Sequence, residues 1–138
     1  MPTLKKISWD DALSTGDESL DTQHRVLIDT FNDLADAIEH GATKDSIGKI
    51  LSVLKFYAGW HFSREEDCMQ KYSCPVAEKN QKAHAVFVQN FNNYQKEFYL
   101  SEDVADLATR MHTDLSDWIY NHILAVDAKL YFCIHPTK

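Results

Sequence analysis

Seven histidines stand in a chain of 138 residues, and four of them fall where an apolar side chain would be expected. His24, His61, His84 and His122 each sit on a stripe of residues recurring at steps of three and four, the spacing of one helix face. A polar ring on a core face is costly unless it is hydrogen-bonded or bound to a metal. A single such residue reads most simply as a satisfied core or surface histidine. Four on four separate stripes point to a shared purpose. Two carboxylates extend the pattern. Glu65 follows His61 by four residues, so both leave the helix on one side. By itself that spacing is common among surface neighbours. Asp127 follows His122 by five, about 140° apart on a regular helix. Either a π-bulge or a local break turns Asp127 inward, or it faces solvent. Imidazole and carboxylate without thiolate suit iron, manganese or zinc rather than an iron–sulfur cluster. Two carboxylates among several imidazoles suit a pair of ions, since each carboxylate has two oxygens and can span both. Four-helix bundles host such dinuclear sites.

The elements that must position these side chains are all helical. The first segment runs from near Ser19–Asp21 to Gly41, with Leu20, His24, Leu27, Phe31, Leu34 and Ile38 on one face. The second, from about Thr43 to Lys71, carries Ile47, Ile50 or Leu51, Leu54, Ala58, His61, Glu65 and Cys68. It stops at Ser73-Cys74-Pro75, because proline cannot donate and clashes with a continuing helix. The third, from about Val76 to Tyr99, aligns Asn80, His84, Phe87, Val88, Phe91 and Phe98. Ser101-Glu102-Asp103 reads as the start of the fourth, whose stripe is Val104, Leu107, Ala108, Met111, Leu115, Trp118, Ile119 and His122. No strand-like alternation is sustained. Short connections predict an all-α, up-down-up-down four-helix bundle with an N-terminal arm, one domain over residues 1–138. His24 is early in its helix, His61 late, His84 early and His122 late. At about 1.5 Å rise per residue, antiparallel packing brings all four to one end of the bundle.

Composition narrows the function. The formal charge is −7, which disfavours nucleic acid or an anionic membrane as partner. No apolar run approaches the roughly 18–20 residues that span a bilayer. The first ten residues show no apolar signal region, so the expected location is the cytoplasm. There the three cysteines read as free thiols by default. A Cys68–Cys74 disulfide has no support from that compartment. A zinc site from Cys68, Cys74, Cys133 and His135 lacks the spacing of a zinc module.

With these residues in view, the sequence resembles the bacterial hemerythrins, single-domain non-haem di-iron oxygen-binding proteins. Leu20-Asp21-Thr22-Gln23-His24, preceded by Trp9, is similar to the family's aspartate-x-glutamine-histidine opening. His61-Phe62-Ser63-Arg64-Glu65-Glu66 resembles its His-x-x-x-Glu helix. His84-Ala85-Val86-Phe87 resembles its His-x-x-Phe, and Trp118-Ile119-Tyr120-Asn121-His122-Ile123 with Asp127 its fourth-helix signature. The resemblance implies that His24 and His61 ligate one iron and His84 and His122 the other. It implies that Glu65, Asp127 and an oxo or hydroxo group bridge them. It further implies reversible oxygen binding in an apolar pocket, for storage, delivery or sensing, with Phe31, Trp60, Trp118 and Ile123 as pocket or core residues. Glu66, about 100° round the helix from Glu65, is expected to face outward.

One position departs from the family pattern. A fifth histidine usually stands four residues before the third-helix His, and here that position is Asn80. An amide oxygen is a weaker iron ligand than imidazole, so Asn80 either ligates weakly, holds a water or leaves a coordination site open. The alternative reading is therefore a di-iron redox enzyme of oxidase or peroxidase type, or a nitric oxide or oxygen sensor, made more reactive by Asn80. A metal-free or zinc-filled interaction bundle would leave four core histidines and two acids unexplained. The remaining histidines have plain readings. His40 suits the negative end of the first helix. His112, about 15 Å along the axis from His122, reads as a surface or flanking residue, and His135 lies in the tail.

Overall fold

A computed structural model describes residues 4–135. Four long helices carry the fold: α1 (Glu18–Glu39), α2 (Lys44–Lys71), α3 (Ala77–Leu100) and α4 (Val104–Ala125). A 3₁₀ turn at Asp11–Leu13 precedes them. A second turn at Asp127–Lys129 and a short α5 (Leu130–Ile134) follow. α1 packs on α2 and α4, and α3 packs on the same two, closing the ring of an up-down-up-down bundle.

The helix ends follow local chemistry. Asp17, Thr43 and Asp103 accept at their side chains from Leu20 N, Ser46 N and Asp106 N, capping α1, α2 and α4. α1 closes as expected at Gly41, whose φ of +68° is left-handed. Ala42 N then donates to Ala37 O and Gly41 N to Ile38 O, the paired bonds that satisfy the last carbonyls. The N-terminal arm is pinned along α1. Ile7 N donates to Asn32 Oδ1 at 2.9 Å, and Asn32 Nδ2 returns a bond to Ile7 O at 2.8 Å. Asp21 fastens the turn before α1, accepting from Ser14 Oγ, Thr15 N and Thr15 Oγ1.

The principal core joins Leu27, Phe31, Leu34, Leu51, Leu54, Phe87, Phe91, Phe98, Met111 and Leu115 with their neighbours. A smaller cluster of Leu20, Met69, Cys74 and Leu130 closes the end where α1 begins and α2 stops. In α3, Val88 turns out of the stripe and is exposed. No helix among the described residues is long and apolar enough to cross a membrane.

Two expectations are corrected here. Cys74 and Cys133 are joined by a disulfide across 59 residues, with Cα atoms 5.5 Å apart, and only Cys68 is a free thiol. The short α5 makes the difference, because it folds the chain back against the α2–α3 turn. His112 is buried, not superficial. It is 1% exposed and packs edge-on to Phe31 with ring centroids 6.3 Å apart. His40 and His135 are exposed as expected, His40 with its Nδ1 on the Asp36 carbonyl near the end of α1.

Candidate metal centre

Each long helix delivers one histidine to a common layer. His24 comes from the second turn of α1, His61 from just past the middle of α2, His84 from the third turn of α3 and His122 from the end of α4. All four are buried, as are Glu65, Asp127 and Asn80. Asp127 reaches this layer because α4 breaks. The helix stops at Ala125, and the 3₁₀ turn beginning at Asp127 rotates its carboxylate inward. The local break foreseen from the spacing is the device used, with no π-bulge.

The donor atoms form two overlapping groups. His24, His61, Glu65 and Asp127 make one, and Glu65, His84, His122 and Asp127 the other, with atoms within 4.8 Å of one another in each group. Glu65 turns Oε2 to His24 Nε2 (2.9 Å) and His61 Nε2 (3.4 Å), and Oε1 to His84 Nε2 (3.3 Å). Asp127 turns Oδ2 to His24 Nε2 (3.3 Å) and Oδ1 to His122 Nε2 (3.1 Å). Each carboxylate therefore presents one oxygen to each half.

The electrostatics follow from putting these groups together out of water. Burial opposes a charge on His24, but its hydrogen bonds to Asp127 and Glu65 outweigh that and hold its pKa up to about 10. Burial likewise works to raise the Glu65 carboxyl. The bond from His24 and the close imidazoles of His61 and His84 prevail and keep it well below the ordinary carboxylate range. His61 goes the other way: burial, reinforced by the charge on His24, pushes it down.

Outer contacts aim the rings. His61 Nδ1 donates to Gln23 Oε1 at 2.7 Å, which leaves its Nε2 facing Glu65. His84 Nδ1 lies 3.4 Å from Glu66 Oε2. Glu66 thus does not point away as its helix angle suggested. Its side chain is 22% exposed and bends along α2 toward α3. Phe62 stacks on His84, with centroids 3.8 Å apart, and Trp118 on His122 at 4.5 Å. Asn80 spans the second half: Nδ2 donates to Glu65 Oε1 (2.9 Å) and meets Met69 Sδ (3.2 Å), while His122 Nε2 donates to Oδ1 at 2.6 Å.

The six expected residues and Asn80 are thus brought to one layer. The expected pocket residues divide. Trp118 stands against His122 and Ile123 is buried, whereas Phe31 lies deeper in the core beside His112. Trp60 is 39% exposed with the Arg64 guanidinium over its ring, so it lies at the surface and not over the histidine layer. Gln23, Phe62 and Glu66 also join the site; they lie inside the motifs quoted above, but the residue order gave them no role. Gln23 stands 38 residues from His61, and no one-dimensional spacing links them.

The arrangement fits a dinuclear metal. His61 Nε2, His84 Nε2 and Asp127 Oδ1 are buried with no hydrogen-bond partner of acceptable geometry, and all three face the shared space. Orphaned polar atoms of this kind are rare in a settled core. Nitrogen and oxygen donors without thiolate suit iron, manganese or zinc.

Comparison with known proteins agrees. A family model described as the hemerythrin HHE cation binding domain matches residues 15–132. A bacteriohemerythrin of Pseudomonas aeruginosa is 32% identical over 125 residues, covering 91% of this chain and 79% of that protein. A bacteriohemerythrin of Methylococcus capsulatus is 36% identical over 112 residues, covering 80% of this chain and 82% of its own length. A crystal structure of wild-type hemerythrin superposes with a TM-score of 0.80 at 31% identity, over 93% of this chain and 97% of that one.

Proposed function

This chain belongs to the hemerythrin family, and from that premise we propose that it binds oxygen reversibly at two iron ions held in the histidine layer, as a storage, delivery or sensing module. His24 and His61 hold one ion and His84 and His122 the other. Glu65 and Asp127 span both. The observation that carries this reading is the split of both carboxylates, each with one oxygen toward each half.

The iron pair, when bound, supplies the electrons that oxygen binding draws on. The residues of this chain do the rest. Gln23 keeps a proton on His61 Nδ1 and so commits Nε2 to the metal side. Glu66 does the same for His84 across a longer contact. Phe62 and Trp118 cover the layer with apolar surface and shield it from bulk water, which favours return of oxygen over its irreversible reduction.

Asn80 favours a second reading, a more reactive di-iron centre of oxidase or peroxidase type. It contributes an amide where the family pattern has an imidazole, and it is fully buried against Glu65 and His122.

Reconstitution with ferrous iron under nitrogen, followed by oxygen, separates these. About two irons per chain and an oxygen-dependent charge-transfer band that disappears on degassing support the carrier or sensor reading. An irreversible spectral change or peroxide consumption supports the second. Failure to load iron overturns both.

A further inference from the structure

The two halves of the centre carry matching donor sets: two imidazoles and the same two carboxylates on each side. A set of two histidines and a carboxylate on iron leaves positions open to outside ligands. No further imidazole, carboxylate or thiolate joins either group among the described residues. What stands beside the His84 and His122 half is Asn80, one helical turn before His84 and on the same face of α3. Its amide lies between a carboxylate oxygen of Glu65 and the Nε2 of His122.

This half is also the one approached from outside. A groove of about 650 Å³ between α2 and α3 is lined by Phe62, Glu66, Gln81 and His84 among others; it ends on the buried Phe62 and His84 rings, so a small ligand has only these to pass to reach the layer. Asn80 is held by reversible hydrogen bonds alone. When His122 Nε2 is engaged by a metal, it no longer donates to Asn80 Oδ1. The Nδ2 group has two donor hydrogens: one serves Glu65, and the other meets Met69 Sδ, a weak acceptor that it can leave for a ligand atom.

We propose that each half accepts a small diatomic ligand of its own, and that Asn80 donates a hydrogen bond to the one on the His84/His122 half. The inference rests on the di-iron reading and adds a second ligand position to it. Asn80 then serves as a donor that faces the ligand, where an imidazole would occupy the position itself.

The probe is nitric oxide, titrated anaerobically into the ferrous protein after iron per chain has been measured. Bound nitric oxide is counted, and the N–O stretching bands are recorded in the infrared. The native protein should bind about two per chain, with two distinct bands. Asn80→His should keep its iron and bind about one, because the added imidazole fills the second position. Asn80→Ala should still bind two, with the second roughly tenfold weaker for want of the hydrogen bond. A native count of one overturns the proposal and means that the Asn80 oxygen itself fills the position. An undiminished count of two in Asn80→His overturns it as well. A native protein that loads fewer than two irons refutes the di-iron reading beneath it, and that failure shows in the metal analysis before any nitric oxide is added.

Discussion

His122 and His112 lie on the same helix, about 15 Å apart along its axis, and both are buried. Their surroundings have little in common. His122 meets Asp127, Asn80, the ring of His84 and the face of Trp118. His112 meets the edge of Phe31, and neither of its ring nitrogens finds a hydrogen-bond partner. The first environment surrounds imidazole with charge that can be exchanged for a metal. The second simply tolerates a neutral ring among apolar neighbours. Burial alone therefore says nothing about function. What separates the two ends of the bundle is whether acids and other imidazoles converge on the same space.

Glu65 is where the contrast breaks most sharply. It faces three of the four histidines, so Glu65→Ala removes a shared metal donor and leaves His24 charged beside Asp127 alone. Iron per chain, measured by elemental analysis, should fall from about two to near zero. Metal-free stability should fall by about 3–5 kcal/mol in chemical denaturation, the cost of breaking a buried pair. Full iron retention would show that the layer does not act as one site.

The closure of the metal end by Cys74–Cys133 comes next. The bond ties the segment after Asp127 to the turn before α3. Cys133→Ser should lower stability by about 2–4 kcal/mol through the loosened unfolded chain. Its midpoint in denaturant, set beside that of reduced native protein, checks this; equal midpoints for variant and oxidised native protein would count against it. A smaller effect is expected at Gln23, which acts on the metal only by aiming His61. Gln23→Leu should weaken metal affinity about 10- to 100-fold in competition with a chelator, with the fold unchanged. An unaltered affinity would assign Gln23 to packing.

The contrast is only partly visible in the residue order. Four apolar stripes, their stops at Gly41 and Pro75, and a histidine at one level of each stripe are local, periodic features, and the bundle follows them. Asp127 is readable only as a choice between a π-bulge, a local break and a side chain facing solvent, since the turn after Ala125 depends on how the chain leaves α4. The disulfide needs α5 to fold back, and nothing in the spacing of Cys74 and Cys133 announces it. Glu66 defeats the helix-angle reading because that angle gives the direction of Cβ, whereas a long carboxylate can bend toward His84. His112 does carry a signal. It follows Ala108 by four residues and precedes Leu115 by three, so it lies on the buried face of α4 beside residues whose periodicity marks them as core.

His112 supplies the smallest expected effect and the cleanest test of the comparison. Burial pushes its pKa below 6.5, against weaker opposing pulls from the Phe31 backbone and the charges of Asp117 and Glu39. The folded protein keeps the ring neutral at a pH where the unfolded chain already takes up a proton. The stability tied to this is whole above about pH 6.5 and is lost as the pH falls from there toward the lowered folded value. His112→Leu removes the titrating group and fills the space with apolar atoms. Iron loading should be unchanged, and stability at pH 8 should stay within about 1 kcal/mol of native or rise slightly, since an unpartnered polar group has left the core. Between pH 7 and pH 5 the metal-free variant should lose less stability than the metal-free native protein when their thermal midpoints are compared. Parallel declines would mean that His112 is not held neutral by burial. A loss of iron in the variant would mean that the two ends of the bundle are coupled, and the division between them would have to be redrawn.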